Sequence, residues 1–398
     1  MARRCVISRG LRIRSRTILL VDMDSFFSSV ETVRHPELVG LPVVVGADPK
    51  EGAGRGVVST CSYEAREYGI HSGMPISKAY RLCPDATFLP VAMALYQSVS
   101  GRIMRILRSS AYVDKFQRVS IDEAFLDVKA NTFEDAIGIA RNIKEEILDK
   151  EKLMCSIGIG PNKLVAKIAS DMEKPDGMTV VAPDCVQEFL DPMPVTKIPG
   201  IGKKTEQMLK EMGITTIYEL REHNLRRLVS RFGKWGYRMH ALACGIDGGE
   251  VEDASTVKSV GREITFDEDT SDPEIICDSV DALSDRAHKA LIKAGYVFRT
   301  VSVKVRFEDF DTHTRARSIG FMSSDPELVK RISKELVGEF IGKKKLRLIG
   351  IRLSNLRMAE TGTETEMGVR TRQTSIYEFS GEWTIATSSP PQVTGLPA

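Results

Sequence analysis

Two pairs of acidic residues are the side chains of this sequence best suited to chemistry. Asp22 and Asp24 directly follow a short apolar run that has the pattern of a buried strand. Asp122 and Glu123 are adjacent and lie inside the mostly apolar run 119–128, which reads as a strand or a hairpin. Because burying an unpaired carboxylate costs on the order of several kcal/mol, such residues indicate a compensating cation. Hard divalent cations prefer carboxylate oxygens, so both pairs are candidate metal ligands.

Each acidic pair also has a simpler explanation when it is considered alone. An Asp-x-Asp pair is commoner as a capping or turn feature, and Glu123 in a turn would be solvated. Together, the pairs predict two strand ends that converge and hold two Mg²⁺ ions about 4 Å apart for phosphoryl displacement. A general acid/base carboxylate pair, as in a glycosidase, uses the same residue types. Only the basic residues later in the chain favour the first alternative.

A third motif lies in the run 197–205, where a hydrophobic-Pro-Gly-x-Gly turn separates two short predicted helices. This pattern is typical of a helix-hairpin-helix, because the glycines let backbone N–H groups approach a phosphate and the next helix start adds a favourable dipole. We therefore predict that Gly200, Gly202, Lys203 and Lys204 bind the DNA backbone without base specificity. A glycine-capped helix turn is the alternative.

Tyr63 and Arg66 form a fourth candidate site. They are three residues apart, so a helix would place both side chains on one face, where they could grip a phosphate. A surface ion pair of Arg66 with Glu64 or Glu67 is the alternative.

Charge in this chain is informative through its distribution rather than its total. The 56 Lys and Arg residues nearly balance the 54 Asp and Glu residues, which gives a net charge of +2. Basic residues nevertheless cluster late in the chain, at Arg299, Lys304, Arg306, Arg315, Arg317, Lys343, Lys344, Lys345, Arg347, Arg352 and Arg357. Such segregation is typical of a nucleic-acid surface, with a solvated charged surface as the alternative.

Length and composition exclude several classes of protein. A chain of 398 residues implies about two to four domains, and its 42% hydrophobic and 28% charged content is that of a soluble, core-forming protein. No apolar run approaches the roughly 18 residues that a transmembrane helix needs. The Arg-rich start, 1–16, lacks the apolar segment of a secretory signal. The seven scattered cysteines lack a CxxC pair, which favours a reducing cytoplasm and argues against zinc.

The elements that must position these residues follow from local patterns. Apolar runs predict strands at 17–21, 41–45, 57–60 and 155–159, and helical spacing follows at 95–107, 136–147 and 162–172. Thr132 and Asp135 resemble a capping box at the start of the second of these helices. The Pro-rich stretch 182–199 marks a boundary, and short helices follow it.

The last folded unit has a βαββαβ order, the ferredoxin-like split arrangement. Its strands are predicted at 261–266, 301–307, 314–321 and 346–353. We expect the two helices to cover one face of this sheet, with the basic strand positions on the outward face. From about Met358 the composition is that of a flexible tail.

With these motifs assembled, the chain resembles the Y-family DNA polymerases of the DinB, or DNA polymerase IV, type over about residues 16–357. The matching runs, in the order and spacing of the family, are VDMDSFFSSVE (21–31), LPVVV (41–45), STCSYEAREYGIHSGMPISKA (59–79), SIDEAFLDV (120–128), SIGIGPNKLVAKIASDMEKPDG (156–177) and IPGIGKKT (198–205).

The resemblance implies an α+β, multidomain right-hand polymerase. It implies a palm at 16–33 and 95–182, small fingers at 34–94, a helical thumb with the helix-hairpin-helix at 183–248, a linker at 249–258 and a βαββαβ little finger at 259–357. A basic N-terminal extension, 1–15, precedes these domains, and a flexible tail, 358–398, follows them.

The resemblance also implies the metal ligands. Asp22, Asp122 and Glu123 match the catalytic carboxylates, and Met23 would add its backbone carbonyl to one of two Mg²⁺ ions. Strand geometry favours Asp22 and Asp24 on one face, yet the family uses only the first of them. Asp24 is therefore expected to be structural, as a hydrogen-bonding partner.

Other matching residues imply how the nucleotide is bound. Phe27 matches the steric gate that excludes a ribose 2′-hydroxyl, while Tyr63, Arg66 and Lys174 match residues that grip the triphosphate. Thr60 matches another phosphate contact. The implied reaction is attack of a primer 3′-hydroxyl on a dNTP during low-fidelity translesion synthesis, and no second carboxylate cluster is present for proofreading.

The tail contains a candidate sliding-clamp peptide. Gln373, Ile376 and Phe379 fit its spacing, but Ser380 replaces the final aromatic residue. The implied partners are primer-template DNA, dNTPs and a sliding clamp, and we expect a cytoplasmic monomer without a membrane partner. A metal-dependent nuclease and a non-catalytic DNA-binding scaffold are the competing hypotheses.

Overall fold

A computed structural model describes residues 16–130, 132–252 and 257–359 of the chain. Two units separate near residue 255. Within these ranges, every helix is too short or too polar to span a lipid bilayer.

The first unit contains eight strands and eleven α-helices within the described ranges. In chain order they are β1 (Ile18–Met23), α1 (Phe26–Arg34), β2 (Val43–Gly46), β3 (Val58–Cys61), α2 (Tyr63–Glu67), α3 (Ile76–Leu82), β4 (Thr87–Pro90), α4 (Met93–Ser109), β5 (Val113–Arg118), β6 (Glu123–Val128), α5 (Phe133–Glu151), β7 (Cys155–Gly160), α6 (Lys163–Ser170), β8 (Met178–Val180), α7 (Val186–Leu190), α8 (Lys203–Glu211), α9 (Ile217–Glu222), α10 (Leu225–Phe232) and α11 (Lys234–Ala243).

A five-stranded sheet in the order β5-β6-β1-β7-β8 forms the centre of this unit. Strand β1 is flanked on both sides, and all of its residues are buried. One face packs Leu19 and Val21 into the cluster that contains α4 and α5, while Ile18 and Leu20 on the other face pack on Ala166 of α6. Burial on both faces explains why the β1 sequence is continuously apolar rather than alternating.

The run 119–128 comprises the turn and the second strand of a hairpin whose first strand precedes it. Strand β5 ends at Arg118 and β6 begins at Glu123, so Asp122 lies in the turn between them. The predicted capping box at the start of α5 is confirmed. The Asp135 N–H donates to the Thr132 hydroxyl at 3.1 Å, and the Thr132 N–H donates to the Asp135 carboxylate at 3.0 Å.

Two smaller parts complete the first unit. A three-stranded sheet in the order β3-β2-β4 packs on α2 and α3 through a separate apolar cluster that includes Val44, Ile70 and Ile76. Helices α7 to α11 form a helical part, whose apolar cluster includes Leu209 and Leu228.

The second unit has the predicted βαββαβ order. Its elements are β9 (Ser259–Thr270), α12 (Pro273–Lys293), β10 (Tyr296–Phe307), β11 (Thr312–Ser323), α13 (Pro326–Gly338), β12 (Leu346–Ser354) and the short β13 (Arg357–Met358). The sheet order is β11-β10-β12-β9 with antiparallel neighbours. Each helix therefore connects two strands that have one strand between them, which is the split arrangement.

The prediction that all the basic strand positions face outward is wrong for Arg315 and Arg317. These residues lie directly opposite Val303 and Val301, which are buried beneath the helices. Because directly opposite residues of antiparallel strands share a face, both arginines lie on the helix-covered side. Alternation within one strand shows which residues share a face, but not which face of the sheet that is. The pairing register with the neighbouring strand decides it.

An acidic residue of α13 and another directly after this helix explain how the two arginines are accommodated at this edge of the sheet. Arg315 forms an ion pair with Glu339 at 3.0 Å, and Arg317 pairs with Glu335. Lys304 and Arg306 alternate with the buried valines of β10, so their side chains lie on the other face of the sheet, opposite Thr314 and Thr312. They are therefore on the open face, as expected.

Candidate active site

The pairing of β1 with β6 brings the two acidic motifs together. Asp22 is directly opposite Glu123 in this antiparallel pair, and the Met23 N–H donates to the main-chain oxygen of Asp122 at 3.0 Å. Residues opposite each other have Cβ atoms about 5 Å apart, so their side chains project together from the same end of the sheet. The predicted convergence of the two motifs is thus present in the fold.

Two lysines face this pair of carboxylates. The Lys174 ammonium lies 2.7 Å from Asp22 Oδ1, and the Lys167 ammonium lies 3.0 Å from Asp22 Oδ2. Lys167 also contacts Glu123, and both lysines contact Asp171. The buried negative charge is therefore compensated by two cations of the chain itself.

Asp122 has a different set of contacts. Its carboxylate accepts a hydrogen bond from the Ser120 hydroxyl. The turn is held from α4, where the buried Ser100 hydroxyl donates to the Ile121 main-chain oxygen, and the Arg118 guanidinium donates to the Ser120 main-chain oxygen at 2.9 Å. The position of Asp122 therefore depends on a polar network under the turn.

The carboxylates have perturbed titration behaviour because they are buried together. Burial raises the pKa of Asp22, but a hydrogen bond from Glu123 and the charges of Lys167 and Lys174 outweigh it and bring this pKa below its usual value. Burial and the neighbouring Asp22 raise the pKa of Glu123 to about 7. The pKa of Asp122 is raised, chiefly by burial.

The donor set fits a hard divalent cation by its chemistry. In the described ranges, no three His, Cys, Asp or Glu side chains lie close enough together to hold one ion. Asp22 and Glu123 are side by side, and Asp122 lies in the adjoining turn, so the donors in this region are oxygen atoms, which Mg²⁺ prefers. The ammonium groups of Lys167 and Lys174, which contact Asp22 and Glu123, show that these carboxylates accommodate positive charge.

Asp24 makes the hydrogen bonds expected of a structural residue. Asp22 pairs in register with Ser156 of β7, and the Ser156 hydroxyl donates to Asp24 Oδ1 at 2.9 Å. Both aspartates are therefore on one side of the sheet, as strand geometry predicted. They have different partners, because Asp22 faces the lysines whereas Asp24 also accepts a hydrogen bond from Tyr63 at 3.1 Å.

The predicted nucleotide-binding residues lie on three elements and one loop of the first unit. Tyr63 begins α2, and the Arg66 guanidinium lies 4.5 Å from the centre of the Tyr63 ring. Thr60 is on β3, opposite Val45. Phe27 is buried in α1 and stacks on an aromatic ring of α4. Lys174 follows α6 and reaches Asp22 as described above.

A cleft of about 360 Å³ begins beside these carboxylates. Glu123, Phe125 and Lys167 line one side, while Pro199 and Arg238 from the helical part line the other. The cleft thus connects the acidic cluster with the region of the predicted helix-hairpin-helix.

The glycine turn in the helical part has the geometry of a tight hairpin. Gly200 has φ of +94°, and a Cβ there would lie 2.7 Å from the Trp235 ring. Gly202 caps the start of α8, and the exposed Lys203 and Lys204 form its first turn. Ile198 and Ile201 are buried on either side of the turn, which fixes its orientation.

The predicted basic contacts of the second unit are only partly on its open face. Lys304 pairs with Glu263 at 2.9 Å, and Arg306 donates to the Thr312 hydroxyl at 2.9 Å. Arg299 is exposed. Arg315 and Arg317 point towards α13, as shown above. The clamp-peptide residues Gln373, Ile376 and Phe379 and the basic segment 1–15 lie outside the described residues.

Sequence reasoning missed Lys167 as a site residue. The signal was present, because Lys163, Lys167 and Asp171 recur at a spacing of four along α6 and its C-terminal end, which places them on one helix face. Without knowledge of which strand α6 covers, that face could equally have been a solvated one.

Comparison with known proteins agrees with this architecture. The sequence model of the impB/mucB/samB family matches residues 21–171, that of its C-terminal domain matches 257–367, and the IMS family HHH motif matches 183–214. DNA polymerase IV 2 of Methanosarcina mazei is 51% identical over 366 residues, covering 92% of this chain and 96% of the relative. DNA polymerase IV of Streptococcus pneumoniae is 39% identical over 343 residues, covering 85% and 97%.

Solved structures with the same fold are polymerases as well. A Y-family DNA polymerase chimera, Dbh-Dpo4(243-245)-Dbh, is 34% identical, with a TM-score of 0.78 over 86% of this chain and 99% of the chimera. An insertion ternary complex of Dbh DNA polymerase is 33% identical, with a TM-score of 0.62 and the same coverage.

The fold and the converging carboxylates define a polymerase of the palm, fingers, thumb and little finger type. The chain belongs to the impB/mucB/samB family of Y-family DNA polymerases and is of the DinB type. It is therefore a DNA-directed DNA polymerase with translesion activity, and the predictions of family, fold class and enzyme class are confirmed.

Proposed function

We propose that this polymerase extends a primer by a two-metal-ion mechanism, with low fidelity and without a proofreading exonuclease. The observation that carries this proposal is the register of β1 and β6, which sets Asp22 beside Glu123, together with the two lysines that compensate them. Strand pairing fixes these two carboxylates relative to each other without any bound partner. That rigidity is what pre-organised phosphoryl transfer requires.

Asp22, Asp122, Glu123 and the main-chain carbonyl of Met23 would hold two Mg²⁺ ions. When bound, the ions lower the pKa of the attacking hydroxyl and stabilise the leaving oxygen. The β6 strand and the hydrogen-bonded turn under Asp122 keep the carboxylates oriented. Lys167 and Lys174 adjust the local charge of the cluster.

The nucleotide is bound by residues on α2, on β3 and after α6. Arg66, Lys174 and the hydroxyls of Tyr63 and Thr60 grip the triphosphate, since fixed positive charge and hydrogen-bond donors stabilise the transferred phosphoryl group. Phe27 contacts the sugar and excludes a 2′-hydroxyl by its volume. The template base selects the incoming base by pairing.

Primer-template DNA is bound through backbone contacts. The Gly200–Lys204 turn presents main-chain N–H groups and two lysines to phosphates, and Lys304, Arg306 and Arg299 supply further charge in the second unit. Arg315 and Arg317 contribute less, because they lie on the helix-covered side of the sheet. The solved Dbh ternary complexes support this assignment by family membership.

We further propose that the protein acts as a cytoplasmic monomer whose tail binds a sliding clamp through Gln373, Ile376 and Phe379. A chain truncated after residue 359 should keep basal primer extension and lose the stimulation that a clamp provides. Equal stimulation of both chains would overturn the clamp assignment alone.

Primer extension with Mg²⁺ and dNTPs tests the central proposal. Asp122→Asn and Glu123→Gln should each abolish extension while retaining primer-template binding. Asp127→Asn is the matched control, because Asp127 is on the same strand but pairs with Arg16 at 2.5 Å. A labelled primer incubated without dNTPs should remain intact. Full activity in Asp122→Asn, or degradation of the primer, would contradict the proposed mechanism.

A further inference from the structure

We propose that Asp24 is a positioning residue for nucleotide binding. Its carboxylate binds Tyr63 of α2 and the loop 171–177, called the Lys174 loop below. The phosphate-binding side chains on these two parts of the chain are therefore held in position before the nucleotide binds. The inference rests on the proposed function in one respect, namely that Tyr63, Arg66 and Lys174 bind the triphosphate.

The Asp24 carboxylate is almost completely buried, with a relative exposure of 3%, and three donors from different elements satisfy it. Oδ1 accepts hydrogen bonds from the Tyr63 hydroxyl at 3.1 Å and from the Ser156 hydroxyl at 2.9 Å. Oδ2 accepts one from the Asp176 main-chain N–H at 2.8 Å. A buried carboxylate requires such donors, and here they join α2, β7 and the Lys174 loop through a single side chain.

The main chain of Asp24 is fixed as well, so the carboxylate has a rigid base. Its N–H donates to the Met154 main-chain oxygen at 3.1 Å, and its main-chain oxygen accepts a hydrogen bond from the Ser29 hydroxyl at 2.6 Å. A side chain anchored in this way transmits its own position to the groups that it binds.

The Lys174 loop has a second anchor on its other side. The Lys144 ammonium of α5 donates to the Cys155 oxygen at 2.6 Å and to the Asp176 oxygen at 2.7 Å, and it pairs with the Asp176 carboxylate at 2.8 Å. Asp176 thus accepts hydrogen bonds from Lys144 at its main-chain and carboxylate oxygens, and its N–H donates to Asp24. Lys174, two residues earlier, projects from a loop that is tied at this point to both the sheet and α5.

Tyr63 carries the arrangement into the fingers. Burial and the neighbouring Asp24 carboxylate raise the pKa of the Tyr63 hydroxyl above its usual value, which keeps it protonated as a donor. The Arg66 guanidinium lies over the ring of this tyrosine. Fixing the Tyr63 hydroxyl therefore fixes the ring on which Arg66 rests.

Holding the Arg66 and Lys174 side chains in place before the nucleotide binds has a specific kinetic consequence. If the groups that bind a triphosphate are already in place, binding does not pay to order them. Loosening them should weaken nucleotide binding more than it slows the chemical step, because Asp22, Asp122 and Glu123 remain held by β1 and β6. A role in global stability alone predicts no such separation.

Single-nucleotide insertion by Asp24→Asn tests the inference. The amide group cannot accept hydrogen bonds from all three donors, so KM for the dNTP should rise at least about tenfold. We expect kcat to change less than about threefold and the affinity for primer-template DNA to stay unchanged. A loss confined to kcat, with KM unchanged, would overturn the inference.

Glu151→Gln is the matched control for this carboxylate-to-amide change. Glu151 is a largely buried carboxylate of the same unit that pairs with Arg102 of α4 at 2.7 Å. It should lower the thermal unfolding temperature without raising KM for the dNTP. A rise in KM equal to that of Asp24→Asn would show that lost stability, not positioning, causes the effect.

Lys144→Met provides a second route if Asp24→Asn does not fold, because it releases the Lys174 loop from the opposite side. It should raise KM for the dNTP in the same way, and an unchanged KM would count against the inference. Arg66→Ala and Lys174→Ala separate the two proposals. If neither raises KM, the triphosphate assignment itself is wrong, whereas a rise in both without one in Asp24→Asn rejects only the role of Asp24.

Discussion

The ring of Tyr96 stacks on the ring of Phe27, with centroids 4.3 Å apart and an angle of 14° between the planes. The Tyr96 hydroxyl donates to the buried Glu31 carboxylate at 2.6 Å, so the ring behind Phe27 is anchored at its far end. Phe27 is therefore backed by a fixed surface and cannot easily retreat into the core. A bulky ring excludes a 2′-hydroxyl only if it is held in this way.

Phe27→Leu should admit ribonucleotides while retaining most of the apolar packing at this position. Because the smaller side chain removes the steric contact with the sugar, the ratio of rNTP to dNTP insertion efficiency should rise at least about tenfold. Single-nucleotide insertion with matched rNTP and dNTP measures this ratio. Phe133→Leu, the same change at a buried phenylalanine of α5, is the control, and an unchanged ratio in Phe27→Leu would reject the sugar-gate role.

Lys167→Met should destabilise the metal-free protein, because Asp22 and Glu123 lose a cation that contacts both of them. We expect the free energy of unfolding to fall by about 1–3 kcal/mol without metal, since the lost contacts are charged hydrogen bonds. Added Mg²⁺ should reduce the difference in the free energy of unfolding between wild type and Lys167→Met if it binds the same carboxylates. Thermal unfolding with EDTA or with Mg²⁺ measures both effects.

Lys163→Met is the matched control for that experiment. Lys163 is on the same helix, but its ammonium contacts the Gln117 side chain and the main-chain oxygen of Glu250. A Mg²⁺-dependent difference as large as that of Lys167→Met would argue against a specific role for Lys167 at the carboxylates.

Gly200→Ala should destabilise the helical part of the first unit. The added methyl group collides with Trp235, and a φ of +94° strains any residue other than glycine, so about 1–3 kcal/mol should be lost. Thermal unfolding checks this value, and primer-template binding should weaken with it. Gly202→Ala is the packing control, because a Cβ there meets nothing within 4 Å. Equal stability of wild type and Gly200→Ala would contradict the hairpin geometry.

Lys304→Ala and Arg306→Ala should each weaken DNA binding in a salt-dependent manner. If each residue contacts one phosphate, removing it should lower the slope of log K against log salt by about one. Arg315→Ala should have a smaller effect, because Arg315 lies opposite the buried Val303 and therefore on the helix-covered side of the sheet. Binding titrations over a range of salt concentrations measure the slopes, and a larger effect for Arg315 would reverse the assignment of the DNA-facing side.

Glu219→Gln should lower the thermal unfolding temperature near neutral pH. Hydrogen bonds from the N–H groups of Thr215 and Thr216 lower the pKa of Glu219 from 4.5 to about 2. A lowered pKa means that the stabilising effect is present above pH 4.5 and is lost as the pH falls towards 2. The difference between wild type and Glu219→Gln should therefore shrink below pH 4.5, and a constant difference would show that the carboxylate charge is not responsible.

The sequence by itself determined the family and most of the elements. The acidic, glycine-turn and lysine-containing runs occur in the order of Y-family polymerases, and Thr132 and Asp135 predicted a helix start correctly. These signals are local, because capping, alternation and turn chemistry act between residues that are neighbours in the chain.

Only the tertiary structure decided which side chains meet. The register of β1 against β6 places Asp22 beside Glu123, and the packing of α6 brings Lys167 to both. The pairing of β11 with β10 turns Arg315 towards the helices, which alternation within one strand could not reveal. The side chains of a strand alternate every two residues whatever strand lies beside it. Which face each side chain occupies is therefore decided by the burial of one face and by the pairing of strands that are distant in the chain.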